Sequence, residues 1–429
     1  MVISFEGGSW KLCTAVAVLL VITLWAPTRG QAFVLSLSGP LGNGGGAVTD
    51  QATVLYARSG GRLHRLAEVG PARDGLPKLL DLGFPFVADD GSVIFAGMVA
   101  ENRRPRWVVF RADMQASPPR ISRIQLPHSN GALADAILSA DPSPEIDAHG
   151  DVIFSAQDAD GRDAIFLLSN GELSHLAKSG EETREGHRLH HIQFGSARSF
   201  GAGEVAFVGW LENHRQAELV ASRAEGVRVI AAEGEAAVGG GIFRQGFGRP
   251  GAAPSQNSLA GRRLAFSART TAGQGIFVLA GRDGLRRVDL AEASCAKSPV
   301  SFLSTGSPGL AVTGEIALLG WCSDVPVIIR VDDRGRARVS LRADSLPDQG
   351  GPLAIEDPWM LDSGAILFGG SAGDSGESIY ELTTEGIARE LYHPYRDLWL
   401  TADDVESRHP ICTATIAANR HGDFAYLGE

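Results

Sequence analysis

Residues 418–429 read "ANRHGDFAYLGE", and the fold turns on what this stretch is half of. Gly422 marks a turn, and Asp423, Phe424, Ala425 and Tyr426 read as the start of a strand pair. The same turn and apolar pair recur upstream in "DDGSVIFAG", "AHGDVIFSA", "GAGEVAFVG", "LAGRRLAFS", "VTGEIALLG" and "DSGAILFGG". The glycines are Gly91, Gly150, Gly203, Gly261, Gly314, Gly364 and Gly422, separated by 59, 53, 58, 53, 50 and 58 residues. That is one structural unit repeated seven times with variable loops.

A second apolar pair follows each of the first six glycines, ending at or near Phe110, Phe166, Leu219, Phe277, Ile328 and Tyr380. A further turn comes next, with Gly171, Gly226, Gly284, Gly335 and Gly386, while the first copy carries Pro118 and Pro119 there. Each unit therefore reads as four strands joined by two tight turns, where glycine permits positive φ. Both residues of the "AF" and "IF" pairs are apolar, so both faces of each sheet are covered. Four-stranded sheets, each sandwiched between copies of itself, describe a β-propeller. No helical periodicity of useful length competes with it.

The closing copy has front strands only. Its back half is found near the start, in "ATVLYARSGGRLHRLAEVG" (Ala52 to Gly70), with Leu55 and Tyr56 as the apolar pair. Joining the two completes a seventh blade and removes exposed sheet edges. The expected fold class is all-β: a seven-bladed β-propeller of four-stranded blades, its ring closed by pairing of the N- and C-terminal segments. Residues 1–32 are assigned as a signal peptide, 33–51 as a linker and 52–429 as the propeller.

The leader assignment rests on Lys11 and the apolar run "LCTAVAVLLVITLWA" from Leu12 to Ala26, then small residues at Gly30 and Ala32. The run is short for a membrane span, so cleavage near Ala32 is favoured over retention as an anchor. The mature chain is expected to be secreted or periplasmic, monomeric and without a membrane span. A net charge of −11 disfavours nucleic acid and anionic membranes as partners.

The repeat resembles a group of secreted bacterial proteins built from Asn-x-x-Gly-x-x-Ala-Phe units, the choice-of-anchor tandem repeat proteins. Asn419-Arg-His-Gly422-Asp-Phe-Ala425-Tyr426 carries the resemblance most fully, and "GEVAF" from Gly203 to Phe207 keeps its core. The tail "V-A-x-x-G-D-x-x-P-G" of that family is echoed in "LAEVGPARDGLP" and "LAKSGEETREG". The resemblance implies secretion and a repeat fold, and it implies no activity.

Candidate chemistry sits in the loops between second and third strands and in the connections between blades, which emerge on one face. His187, His190 and His191 lie in the connection entering blade three, and His214 lies in that blade's second loop. Converging imidazoles there would bind a divalent transition metal; the alternative is four solvated loop histidines. "DADGRD", Asp158 to Asp163, offers either a calcium-like oxygen cluster or a plain Asp-Gly turn, and the turn is favoured. "GFGRPG" (246–251) and "GGSAG" (369–373) match nucleotide-loop and nucleophile-elbow patterns but lack the helix that each requires. Cys295 and Cys322 fall on one face of blade five and are assigned as a disulfide, leaving Cys412 free. Three reduced, packed thiols are the alternative.

No catalytic set recurs, and no cofactor is strongly indicated beyond that candidate metal. The expected function is a binding or interaction scaffold that uses the loop face, with an extracellular protein or glycan as partner. The alternative is a metal-dependent propeller hydrolase or lyase built on the histidine cluster.

Overall fold

A computed structural model describes residues 53–428 apart from 125–136, 139–142, 254–262, 304–307, 347–353, 372–376, 393–415 and scattered stretches of one to three residues. Gly261 and Cys412 lie outside the described residues. The chain forms seven antiparallel blades of four strand positions each. Blade three is representative: a first strand in two pieces, Leu189–Ile192 and Arg198–Gly201, then Glu204–Leu211, Gln216–Ser222 and Gly226–Ala232. Among the described residues no α-helix occurs, and none is long and apolar enough to cross a membrane.

The glycine turns behave as the repeat requires. In blade two Gly150 donates its N–H to the Asp147 carbonyl at 3.0 Å, and Asp147 N–H reaches Asp151 O at 2.9 Å. Gly150 adopts φ +84°, which an L side chain rarely takes. The first strand departs from the expected single run. The stretch "LHHI" is the first piece of that strand, paired to Trp210 and Gly209, and not part of the connection. A register shift between Leu189 and His191 sends both histidines outward while Leu189 and Ile192 stay buried, which hides the alternation in the sequence.

Ring closure is explicit. Val54–Ser59 pairs antiparallel with Phe424–Gly428, from Val54 opposite Gly428 to Arg58 opposite Phe424. The sheet order is then Arg62–Glu68, Val54–Ser59, Phe424–Gly428, Ile416–Ala418, one complete blade from the two ends of the sequence. The innermost strands of successive blades touch from blade one to blade six, and Ile416–Ala418 of blade seven meets Phe86–Val87 of blade one. Asn419 adds a buried hydrogen bond, its Nδ2 donating to Ala88 O at 3.0 Å. Between blades five and six the inner strands approach so closely that a Cβ on Gly309 would lie 2.4 Å from Pro358 O.

One row of side chains packs each blade onto the one before it. It contains the stacked pairs Phe95–Phe110, Phe154–Phe166, Phe266–Phe277 and Phe368–Tyr380, with centroids 5.3–5.7 Å apart. Fully burying such a side chain contributes about 1.5–3 kcal/mol. The neighbouring third-strand position faces the following blade. It holds Leu55, Val109, Ile165, Ile276, Ile328 and Ile379 in six blades, and Glu218 in blade three.

Glu218 is fully buried, and among the described residues neither of its carboxylate oxygens has a hydrogen-bond partner. The blade three–four core around it includes Phe243, Phe247, Phe266 and Phe277. Burial pushes its pKa well above the ordinary carboxylate value, because the charged form loses its hydration there.

Two outcomes follow from this packing. Deleting residues 419–429 is expected to give an unfolded or oligomeric chain by light scattering, and an unchanged monomer with unchanged melting would refute closure as a stabilising contact. For Glu218, the folded pKa lies above the unfolded value of about 4.3. Its contribution is therefore fully present below about pH 4 and is lost as pH rises through the folded value, at up to about 1.4 kcal/mol per pH unit. Glu218→Ile is expected to remove that slope from urea-unfolding curves taken between pH 4 and 8. It should also gain about 1–3 kcal/mol near neutrality.

Candidate interaction site on the loop face

The strand directions put the second-to-third loops and the interblade connections at one end of the ring. At the junction of blades two and three, Asp163 opens the strand Asp163–Ser169 and stands opposite Gln157. Its side chain is only 10% exposed. One carboxylate oxygen takes the His191 Nδ1 contact and the Ile192 N–H at 3.4 Å, and the other accepts from Gln157 Nε2 at 3.4 Å. His191 is 48% exposed, so a buried acid orients a half-exposed imidazole. With Nδ1 engaged, Nε2 is the nitrogen left to meet a partner.

Aromatic surface frames this imidazole. The Trp210 ring lies 5.1 Å from it, tilted by 36°, and Phe194 meets it edge-on at 6.1 Å. Trp210 and His191 are cross-strand neighbours on the first and second strands of blade three, which fixes both rings. Nearby, the turn Glu212–His214 holds Asn213 and His214 at positive φ and presents the His214 ring edge-on to His190, with centroids 5.0 Å apart.

The four histidines singled out by the sequence therefore divide. His190 and His214 meet, His191 turns to Asp163 and Trp210, and His187 enters the Thr183 turn through its backbone N–H, 3.2 Å from Thr183 Oγ1. Among the described residues no group of three or more His, Cys, Asp or Glu side chains is placed to hold a metal ion. Sequence reading places Asp163 only in the "DADGRD" cluster and does not single out Trp210; the Asp163–His191 contact is missed because the two belong to different blades, 28 residues apart. The Gly209-Trp210 step, repeated at Gly320-Trp321, is the one local hint of a common loop-end position.

The other motifs resolve simply. Asp158 Oδ1 accepts N–H bonds from Asp160 and Arg162, both at 2.9 Å, while Oδ2 pairs with Lys178. Burial works against its charge, but these hydrogen bonds prevail and hold its carboxyl below the ordinary range. The cluster is thus a filled Asp-Gly turn. Ser371 ends the strand Ile366–Ser371 and Gly251 opens the strand Gly251–Ala253, so among the described residues neither glycine motif meets a helix.

Cys295 and Cys322 are placed as a disulfide, with Cα atoms 5.8 Å apart and both side chains buried. Disulfide mapping under non-reducing conditions should recover a Cys295–Cys322 peptide. For a sequence separation of 27 residues the chain-entropy contribution is about 3.5 kcal/mol, so Cys295→Ala with Cys322→Ala should lose stability on that scale. Free thiols at both positions in oxidised protein would overturn the pairing.

At the opposite end of blades two and three lies a cavity of about 630 Å³, bordered by His149, Asp151, Asn170, Glu204, Arg223 and Glu225. Within it Arg223 donates to Ser174 Oγ at 2.8 Å and Glu225 pairs with Arg184 at 2.7 Å.

A model of a family of unknown function (DUF7453) matches residues 35–288, more than half of the chain. No curated protein matches the chain in sequence. Among solved structures, the β-propeller domain of the Trilobed protease from Pyrococcus furiosus aligns with TM-score 0.47 and 11% identity, over 82% of this chain and 90% of that one. The Pyrococcus horikoshii acylaminoacyl peptidase aligns with TM-score 0.45 and 14% identity, over 81% of this chain and 49% of that one, so the chain spans about half its length. AofleA from Arthrobotrys oligospora aligns with TM-score 0.35 and 11% identity, over 75% and 92%.

Proposed function

Because the chain belongs to this family of unknown function (DUF7453), its role has to be read from its own side chains, and we propose that it is an extracellular binding propeller whose loop face holds a glycan. The observation that carries this reading is the half-exposed His191, oriented by the buried Asp163 and flanked by Trp210 and Phe194. A sugar ring presents an apolar C–H face and a rim of hydroxyls. An aromatic surface suits the first, and an oriented imidazole suits the second, accepting or donating at Nε2. Polar groups held on rigid strands lose little entropy on binding.

Action outside the cytoplasm is supported by the apolar run from Leu12 to Ala26, the small residues after it and the paired cysteines. An extracellular protein is the second partner class that the loop face would suit.

The test is an immobilised glycan array probed with the wild-type chain and with Trp210→Ala, His191→Ala and Asp163→Asn. Wild type should retain a subset of saccharides. Trp210→Ala should weaken retention at least tenfold, the scale of losing about 1.4 kcal/mol of stacking, with melting little changed. Wild-type retention of no saccharide, or variants that bind as wild type does, would overturn the glycan reading.

A further inference from the structure

The repeat provides seven versions of each position, which makes a buried charge easy to judge. On the third strand, one position past the stacked row, four blades carry apolar Ala57, Leu167, Val220 and Val278. Blades one and six carry Arg111 and Glu381, each paired on its own blade, with Asp90 and Arg389 respectively. Blade five carries Arg330.

Arg330 is only 6% exposed. One Nη donates to the Gly364 carbonyl of blade six, and among the described residues Nε has no acceptor. Among the described residues no carboxylate lies within ion-pair distance of it; the field of Glu315 favours its charge, and that of Arg338 opposes it. A buried charge without a counter-charge is costly. Beside it lies a cavity of about 430 Å³ bordered by Glu315, Arg330, Asp332, Arg336, Ala337 and Arg338. Asp332 is already committed, accepting from Arg336 Nε at 2.7 Å and from the N–H groups of Arg334 and Arg336 at 3.0 and 2.9 Å. Setting that pair aside leaves Arg330, Arg338 and Glu315, a net charge of +1. Arg330 and Arg338 are direct cross-strand partners, so their charges lie side by side.

We propose that this cavity, at the glycine-turn end between blades five and six, binds a small oxyanion, a phosphate or sulfate group seated against Arg330 and Arg338. The anion balances the net positive charge that Glu315 leaves unmatched, and guanidinium groups are suited to oxyanions by their fixed donor geometry. The site lies at the end of the ring opposite His191 and is independent of the glycan reading.

Inorganic phosphate, inorganic sulfate and chloride would be titrated into the full chain at matched ionic strength, read by melting temperature and calorimetry. Phosphate or sulfate should give a saturable rise in melting temperature that chloride does not. Arg330→Gln should weaken binding at least tenfold, and Arg338→Gln should weaken it less. Arg330→Met, apolar as in four other blades, should fold and show no response, while Trp210→Ala should respond as wild type does. A sulfated disaccharide that binds more tightly than inorganic sulfate would assign the group to a polysaccharide; equal or weaker binding would assign the free ion. Indifference between phosphate, sulfate and chloride, or unchanged affinity in both Arg330 variants, would overturn the site.

Discussion

The antiparallel pairing of Val54–Ser59 with Phe424–Gly428 is the contact on which the molecule depends. A propeller blade has no independent core: its two faces are covered only by the blades on either side. Seven blades in an open arc would leave the outer faces of the first and last exposed to water. Building one blade from both ends of the sequence converts the arc into a ring, and then each apolar row has a partner. Asn419, bridging blade seven to Ala88 of blade one, reinforces the joint with a hydrogen bond shielded from solvent.

Within that ring the blades are similar in backbone and different in detail, and the differences are informative. A position filled by Val, Ile or Leu in six blades holds a buried glutamate in blade three, with no hydrogen-bond partner among the described residues. A neighbouring position that is apolar or locally ion-paired in six blades holds in blade five an arginine with no ion-paired carboxylate among the described residues. Both departures weaken the packing of an otherwise uniform unit, since a neutral aliphatic side chain fits either position in other blades. Such sites are where selection for something besides stability leaves a physical trace.

The fold is legible in the sequence because its signals are local. Glycine at positive φ followed by an apolar pair lies within one hairpin, so Gly91, Gly150 and Gly422 announce their turns without reference to the rest of the chain. The interaction site is less legible. His190 and His191 are adjacent in sequence, yet a register shift in their strand gives them different neighbours, His214 for one and Asp163 with Trp210 for the other. Counting histidines near one loop finds the neighbourhood and misses the acid and the indole that organise it.

By itself, then, the sequence determines the strand count per unit, the number of units and the need to join the ends, all of which follow from periodicity and from burying apolar faces. It also places Cys295 and Cys322 on one face of one blade. Tertiary structure alone decides which side chains of different blades meet: Asp163 with His191, Asn419 with Ala88, Arg330 with Gly364. The physical reason is that interblade contacts join residues whose spacing depends on loops of variable length. No fixed interval in the chain encodes them, and burial, charge and hydrogen bonding become readable only once the blades are stacked.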